Sequence, residues 1–149
     1  WDKIKADEKG ESSSDSQKFT NKLSDYNRKF PPLIATMKIS KKAADVGFEW
    51  DNIDGVWEKY EEELGEFKHA LAEETPQRQQ EELGDMLFSL LQLARWNNLD
   101  PSEALQGTNK RFIQRFRVME SFAKRPLSEY SLVELEALWQ QAKKQLKNS

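Results

Sequence analysis

The residues best suited to chemistry are carboxylates in two nearly identical pentapeptides. Residues 62–66 read EELGE and residues 81–85 read EELGD, so the second begins nineteen positions after the first. Within each pentapeptide two acids lie three residues apart, just beside the leucine of an apolar stripe on a helical wheel. These four acids are Glu63, Glu66, Glu82 and Asp85. Carboxylates held at short range cannot all remain ionised unless a cation compensates their charge.

Two predicted helices must bring the pentapeptides together. The first starts at Asp51 or Asn52 and runs to about Ala72, and the second starts after the cap Thr75, with Pro76 in its first turn. A connection this short predicts an antiparallel hairpin. Because both pentapeptides have the same angular offset, facing antiparallel helices place all four carboxylates on one flank. They share one level, about 14 Å from the turn.

A carboxylate cluster of this kind suits a hard divalent cation. Oxygen-only ligands favour Mg²⁺, with Mn²⁺ as a substitute, and such ions often bridge carboxylates to substrate phosphates. The alternative is that the acids form an ordinary solvated helix face. The pentapeptide glycines, Gly65 and Gly84, fall on the opposite flank, which predicts that they allow close helix approach.

A second candidate site is basic and lies on the fourth predicted helix, in "TNKRFIQRFR". Arg111 and Arg115 are one turn apart and share a face, with Asn109 nearby. Guanidinium groups match phosphate oxygens well, so this face predicts phosphate binding. The alternative is that the arginines pair within the helix with acids such as Glu103 or Glu120.

The remaining elements are also helical. A first helix opens at Pro31 and Pro32 and ends at Gly47, a fourth begins at Asp100 with Pro101, and a fifth follows the cap Ser131. No segment shows sustained strand alternation, so the predicted class is all-α, an antiparallel bundle of about five helices. Residues 1–27 are polar and rich in serine, which predicts a linker before one domain over residues 28–149.

Composition excludes several kinds of site and favours a cytoplasmic setting. The 149 residues include no cysteine and one histidine, His69, so disulfides, thiolate metal sites and multi-histidine sites are excluded. No apolar run approaches a membrane span, and a net charge of -3 argues against general nucleic-acid binding. Because the sequence begins with Trp1, we expect a piece of a longer chain.

The two acidic segments, Glu62-Glu63-x-x-Glu66 and Glu82-x-x-Asp85, resemble the signature of the MazG nucleoside triphosphate pyrophosphohydrolases, of the all-α NTP pyrophosphatase superfamily. The similarity extends through "KKAADVGFEWDNIDGVWEKYEEELGEF", "DPSEALQGTNKRFIQRFRVME" and "LEALWQQAK". It covers about residues 31–145. This part of the chain resembles the C-terminal, catalytically active domain of two-domain members.

The resemblance implies Mg²⁺-dependent cleavage of NTPs or dNTPs between the α and β phosphates, and a homodimer. Glu63, Glu66, Glu82 and Asp85 match the metal ligands. Glu62 and Glu63 are both candidates for the general base. Arg111 and Arg115 match phosphate-binding positions, with Asn109 beside them, and Trp139 matches a tryptophan near the nucleotide. The segment "RWNNLDP" departs from the common family pattern, which leaves the edge of the pocket and the base preference open.

Two other functions remain open from the sequence. One is a narrower house-cleaning enzyme for modified or pyrimidine dNTPs, or for a phosphoribosyl-nucleotide. The other is a non-catalytic helical module for dimerisation or regulation that retains the acidic face. The complete set of four acids argues against the second.

Overall fold

The structure, a computed structural model, describes residues 18–148. These residues form two compact units, one ending at Pro101 and the other beginning at Ser102. In the first unit, helix α1 occupies residues 18–29, and it is followed by α2 (Pro32–Asp45), α3 (Ile53–Glu73) and α4 (Pro76–Trp96). The second unit consists of α5 (Pro101–Phe122), apart from its first residue, a 3₁₀ helix (Leu127–Glu129) and α6 (Leu132–Asn148).

Local capping explains where α3 and α4 begin. The Asn52 side chain accepts hydrogen bonds from the backbone N–H groups of Asp54 and Gly55, at 3.0 and 3.3 Å. The Thr75 hydroxyl accepts one from the backbone N–H of Arg78 at 3.3 Å, and proline occupies the first turn. Both predicted caps are therefore confirmed.

Helix α4 is central to the first unit because it packs against both α3 and α2. The buried apolar side chains of this unit come from all three helices and are Ala35, Val56, Ala70, Leu91 and Leu93. Close to the turn, the Gln79 side chain donates to the backbone carbonyl of Ala70 at 3.1 Å. These contacts fix the α3–α4 hairpin and thus the level at which side chains on the two helices meet.

The second unit is held by a capping box and an aromatic cluster. At the start of α6, Ser131 Oγ accepts from the Glu134 backbone N–H at 3.2 Å, and Glu134 Oε1 accepts from the Ser131 backbone N–H at 2.9 Å. Trp139 on α6 packs against Phe112 and Phe116 on α5, with ring centroids 5.4 and 5.9 Å apart. The residues around Trp139 are therefore positioned by packing between two helices.

The all-α class is confirmed, since residues 18–148 contain helices and no strand. Within those residues no helix is both long and apolar enough to cross a membrane. The prediction of a linker through residue 27 missed α1. Its apolar side chains, Phe19, Leu23 and Tyr26, recur at helical spacing and are half-buried, a signal hidden by the polar residues around them. The earlier part of the predicted linker lies outside the described residues, and the single domain over 28–149 stays a prediction.

The role predicted for the two pentapeptide glycines is wrong. A Cβ atom built at Gly65 or Gly84 would meet no atom of the described chain within 4 Å, and both positions are exposed. Among the described residues, therefore, no helix approaches either glycine closely. A close approach does occur at Gly55, where an added Cβ would lie 3.0 Å from the Trp50 ring.

Open space at Gly65 and Gly84 leads to a stability prediction. Replacing either glycine by alanine should raise the free energy of unfolding by about 0.5–1 kcal/mol, because alanine has less backbone entropy to lose in a helix. Urea denaturation followed by circular dichroism measures the change. Gly55→Ala is the matched control and should gain less stability than the other two variants, because its Cβ crowds the Trp50 ring. A loss of stability in Gly65→Ala or Gly84→Ala would contradict the open flank.

Candidate metal centre

Three carboxylates from two helices converge at the contact between α3 and α4. Glu63 on α3 and Glu82 and Asp85 on α4 each offer an oxygen atom, and these three atoms lie within 4.8 Å of one another. Glu63 and Glu82 are buried, with 9% and 5% of their surface exposed, whereas Asp85 is exposed. Two carboxylates are thus held inside the contact while the third faces solvent, which leaves an open approach to the group.

The surroundings of the Glu82 carboxyl oppose its ionisation. Burial raises the pKa of the Glu82 carboxyl above its ordinary value, and the negative charges of Asp85, Glu63 and Glu66 raise it further. Arg78 opposes this rise. The ionised cluster is therefore costly when it lacks a cation, and an added positive charge stabilises it.

Two basic side chains supply part of that charge. Lys59 Nζ lies 3.0 Å from Glu63 Oε1, and Arg78 Nη2 donates to Glu82 Oε1 at 2.6 Å. The hydrogen bond to Glu63 raises the pKa of Lys59, while the pKa of Arg78 is raised chiefly by its hydrogen bond to Glu81. Each cation lies one turn before its acid, at spacing i to i+4. Each buried carboxylate is thus paired with a cation.

The other two predicted acids lie beside this group. Glu66 is exposed and outside the set of three, yet it is near enough for its charge to raise the pKa of Glu82. Glu62 is also exposed, and its Oε1 lies 3.5 Å from Lys59 Nζ. The structure therefore brings together three of the four predicted ligands and leaves Glu66 within electrostatic range.

The donor set fits a hard divalent cation. It consists of carboxylate oxygens alone, two helices fix their positions, and the solvent side leaves room for water or a phosphate oxygen. Nitrogen- and sulfur-rich sites that select zinc are excluded within the group by its residue types. The geometry supports a metal-binding centre at this contact.

The predicted basic residues are found in the second unit. Arg115 places its guanidinium 5.2 Å from the centre of the Trp139 ring, and Arg111 Nη2 donates to the Thr108 hydroxyl at 3.0 Å. Asn109 is exposed. A cavity of about 700 Å³ is lined mainly by polar and basic side chains of α5 and α6, namely Arg111, Gln114, Arg115, Gln140, Lys143, Lys144 and Lys147. This part of the unit can bind an anion.

Known proteins are similar to this chain in sequence. The MazG nucleotide pyrophosphohydrolase domain matches residues 54–118, which include the carboxylate residues Glu62, Glu63, Glu66, Glu82 and Asp85. The chain is 37% identical over 146 residues to the nucleoside triphosphate pyrophosphohydrolase/pyrophosphatase MazG of Thermotoga maritima. It is 34% identical over 152 residues to the nucleoside triphosphate pyrophosphohydrolase of Escherichia coli strain K12. Over residues 54–118 the chain carries a MazG domain.

Coverage differs between this chain and its MazG relatives. The alignments include 96% and 97% of this chain but 54% and 55% of the Thermotoga and Escherichia proteins. This chain therefore spans about half the length of those relatives. The resemblance inferred from the acidic segments is confirmed, and so is the assignment to a family of nucleotide pyrophosphohydrolases.

Sequence reasoning missed several basic residues that pair with the carboxylates or line the basic cavity. Lys59 and Arg78 were overlooked, although each lies four residues before a predicted ligand. Lys143, four residues after Trp139, and its neighbour Lys144 were also overlooked. Helical spacing from an already chosen residue is the signal that could have found Lys59, Arg78 and Lys143.

Removal of a buried carboxylate charge gives a test of the metal centre. Glu82→Gln should weaken Mn²⁺ binding by about 100-fold or more, since loss of even an outer-shell partner costs about 10–100-fold. Electron paramagnetic resonance of free Mn²⁺ during titration measures the affinity. Glu81→Gln is the matched control, because Glu81 is adjacent and exposed and lies outside the three-carboxylate group. Equal losses in both variants would contradict a localised site.

Proposed function

We propose that this chain is a Mg²⁺-dependent nucleoside triphosphate pyrophosphohydrolase, which cleaves NTPs or dNTPs between the α and β phosphates to give a nucleoside monophosphate and pyrophosphate. The observation that carries the proposal is the convergence of Glu63, Glu82 and Asp85 within 4.8 Å in a MazG domain. Relatives named as nucleoside triphosphate pyrophosphohydrolases support it.

The carboxylates have the chemistry that binding of Mg²⁺ requires. Glu63, Glu82 and Asp85 would hold the ion, with Glu66 as the fourth ligand, and Mn²⁺ would substitute because it accepts the same oxygen donors. Bound there, the ion would neutralise phosphate charge and lower the pKa of a coordinated water. Glu63 and Glu82 are fixed by burial and by Lys59 and Arg78, so little reorganisation is needed before substrate binds.

Proton transfer requires a carboxylate that is not occupied as a ligand. Glu62 is exposed, lies next to Glu63 and is outside the three-carboxylate group. We assign to it the role of general base, accepting a proton from the attacking water. The water oxygen bonds to the α phosphorus as the bond from that phosphorus to the α–β bridging oxygen breaks. The pyrophosphate leaves with the bridging oxygen, and the former water oxygen stays on the monophosphate. Glu63, the other candidate, is buried against Lys59 and serves better as a ligand.

The second unit supplies residues suited to the substrate's anionic groups. Arg111 and Arg115 are proposed to bind phosphates, with Asn109 donating from its amide, and Trp139 is proposed to contact the nucleotide. The support is the basic lining of the cavity and the guanidinium of Arg115 stacked on Trp139.

A homodimer is part of the proposal because the family resemblance implies one. Helix α4 exposes several large apolar side chains that a partner could cover, with 38–45% of their surface accessible; they are Leu83, Leu87, Phe88 and Leu90. Apolar exposure on this scale is typical of interaction surfaces.

Product analysis tests the reaction directly. Incubation of an NTP with the protein and Mg²⁺ should release pyrophosphate and the monophosphate in equal amounts, as measured by ³¹P nuclear magnetic resonance. Asp85→Asn should lower kcat/KM by about 100-fold or more, because it removes a ligand charge. Glu136→Gln, an exposed acid on α6, is the control and should retain activity.

Other products would identify other functions. Orthophosphate with a diphosphate would refute α–β cleavage. Turnover confined to one modified or pyrimidine dNTP, or to a phosphoribosyl-nucleotide, would establish the narrower enzyme. If calorimetry detects no Mg²⁺-dependent binding of a non-hydrolysable NTP analogue, and no nucleotide is cleaved, the chain is a non-catalytic module.

A further inference from the structure

The repeat that contains the acidic pentapeptides also includes a basic residue. Lys59 lies four residues before Glu63, and Arg78 lies four residues before Glu82, so the two basic residues are themselves nineteen positions apart. Each basic side chain forms an ion pair with the buried carboxylate of its own helix. Together they carry two positive charges, which is the charge of one divalent cation. The carboxylate group is thus accompanied by a second set of cations that belongs to the same two helices.

The basic side chains are far more accessible than the acids with which they pair. The exposed fractions are 42% for the Lys59 side chain and 51% for that of Arg78, against 11% for Glu63 and 7% for Glu82. Burial in the contact between α3 and α4 therefore holds the two carboxylates in place whether or not they are paired. A neutral residue at either basic position removes a charge and leaves no cavity in the core.

The surroundings of Lys59 strengthen its effect on Glu63. Lys59 lines a cavity of about 380 Å³ between α2, α3 and α4, and the aromatic side chains of Phe48, Trp50 and Phe88 form part of the lining. Apolar walls reduce screening by water on that side of the ammonium group. Its charge therefore acts on the neighbouring carboxylate more strongly than the charge of a fully solvated lysine does.

Arg78 divides its guanidinium among three acids. Nη2 donates to Glu82 Oε1 at 2.6 Å, Nη1 donates to Glu81, and Nε lies 3.8 Å from Glu74 Oε2. Of these three acids, only Glu82 belongs to the three-carboxylate group. Arg78 therefore stays paired when it releases Glu82.

A cation paired with a ligand carboxylate has two opposite effects on metal binding. It orients the ligand, which favours binding. It also reduces the negative potential that attracts the metal ion, and an opposite charge at such short range changes proton binding to a carboxylate by about 10- to 1000-fold. Because burial already orients Glu63 and Glu82, the second effect is the larger one here.

We propose that Lys59 and Arg78 are internal counterions that take the place of the divalent cation, stabilising the metal-free centre and lowering its affinity for the free ion. The proposal rests on the proposed function, since it concerns the metal ion of the same reaction. The phosphates of a bound nucleotide add the negative charge that the two basic residues remove. The ion therefore binds more tightly together with the nucleotide than alone.

Neutral substitutions test this role. Lys59→Gln and Arg78→Gln should each raise Mn²⁺ affinity by about tenfold in the absence of nucleotide, because each removes one competing charge. Electron paramagnetic resonance of free Mn²⁺ measures the affinity. Without metal, each variant should unfold at a lower temperature than wild type. Addition of Mn²⁺ should raise its midpoint more, because tighter binding stabilises the folded state more. A merely structural role would lower both stability and affinity.

Two further variants separate charge from geometry and from net charge. Arg78→Lys keeps the charge but loses the planar fork, and its Mn²⁺ affinity should stay within about threefold of wild type. Lys68→Gln makes the same change in net charge. Lys68 is exposed and lies five residues after Glu63, about 140° around α3. Its replacement should leave the affinity unchanged.

Each outcome decides a separate point. If wild type binds Mn²⁺ and a neutral variant binds it no more tightly, the counterion role of that residue is overturned and the proposed function stands. A gain in Lys68→Gln equal to that in the other two variants overturns the local role, as does a tenfold gain in Arg78→Lys. If wild type neither binds Mn²⁺ nor releases pyrophosphate from an NTP, the proposed function itself has failed.

Discussion

The rest of the structure depends on the electrostatic cost of placing carboxylates from two helices against one another. Packing of α3 on α4 brings Glu63, Glu82 and Asp85 together, and burial makes the charge on Glu82 still less favourable. Lys59 and Arg78 reduce this cost from positions one turn away. Because the helix hairpin is fixed by its caps and its apolar contacts, the repulsion cannot separate the acids. The fold thus maintains an arrangement that a divalent cation stabilises.

The same two helices relate the charged group to an aromatic cavity. On α3, Lys59 lies one turn farther from the α3–α4 connection than Glu63 does. On α4, Phe88 likewise lies about one turn farther from it than Asp85 does. Each helix therefore changes from carboxylates to residues that line the cavity over about one turn.

Sequence reasoning succeeded where local rules determine structure. The caps at Asn52, Thr75 and Ser131, and the pairing of two equal angular offsets across a short turn, are read directly from residue types and spacing. The roles of Gly65 and Gly84 were misjudged, because a helical wheel gives an angle without showing which flank has a neighbour. The cavity could not be predicted, since its walls depend on contacts such as Glu49 with Arg95, 46 residues apart. Helix α1 was missed because its apolar positions are few.

The central claim is that two facing helices form a divalent-cation site, and locating the ion tests it most directly. Anomalous diffraction from crystals grown with Mn²⁺ and a non-hydrolysable NTP analogue would give its position. We expect a peak within direct coordination distance of the carboxylate oxygens of Glu63, Glu82 and Asp85. An ordered α3–α4 hairpin with no ion at these carboxylates, or with Mn²⁺ bound elsewhere, would contradict it.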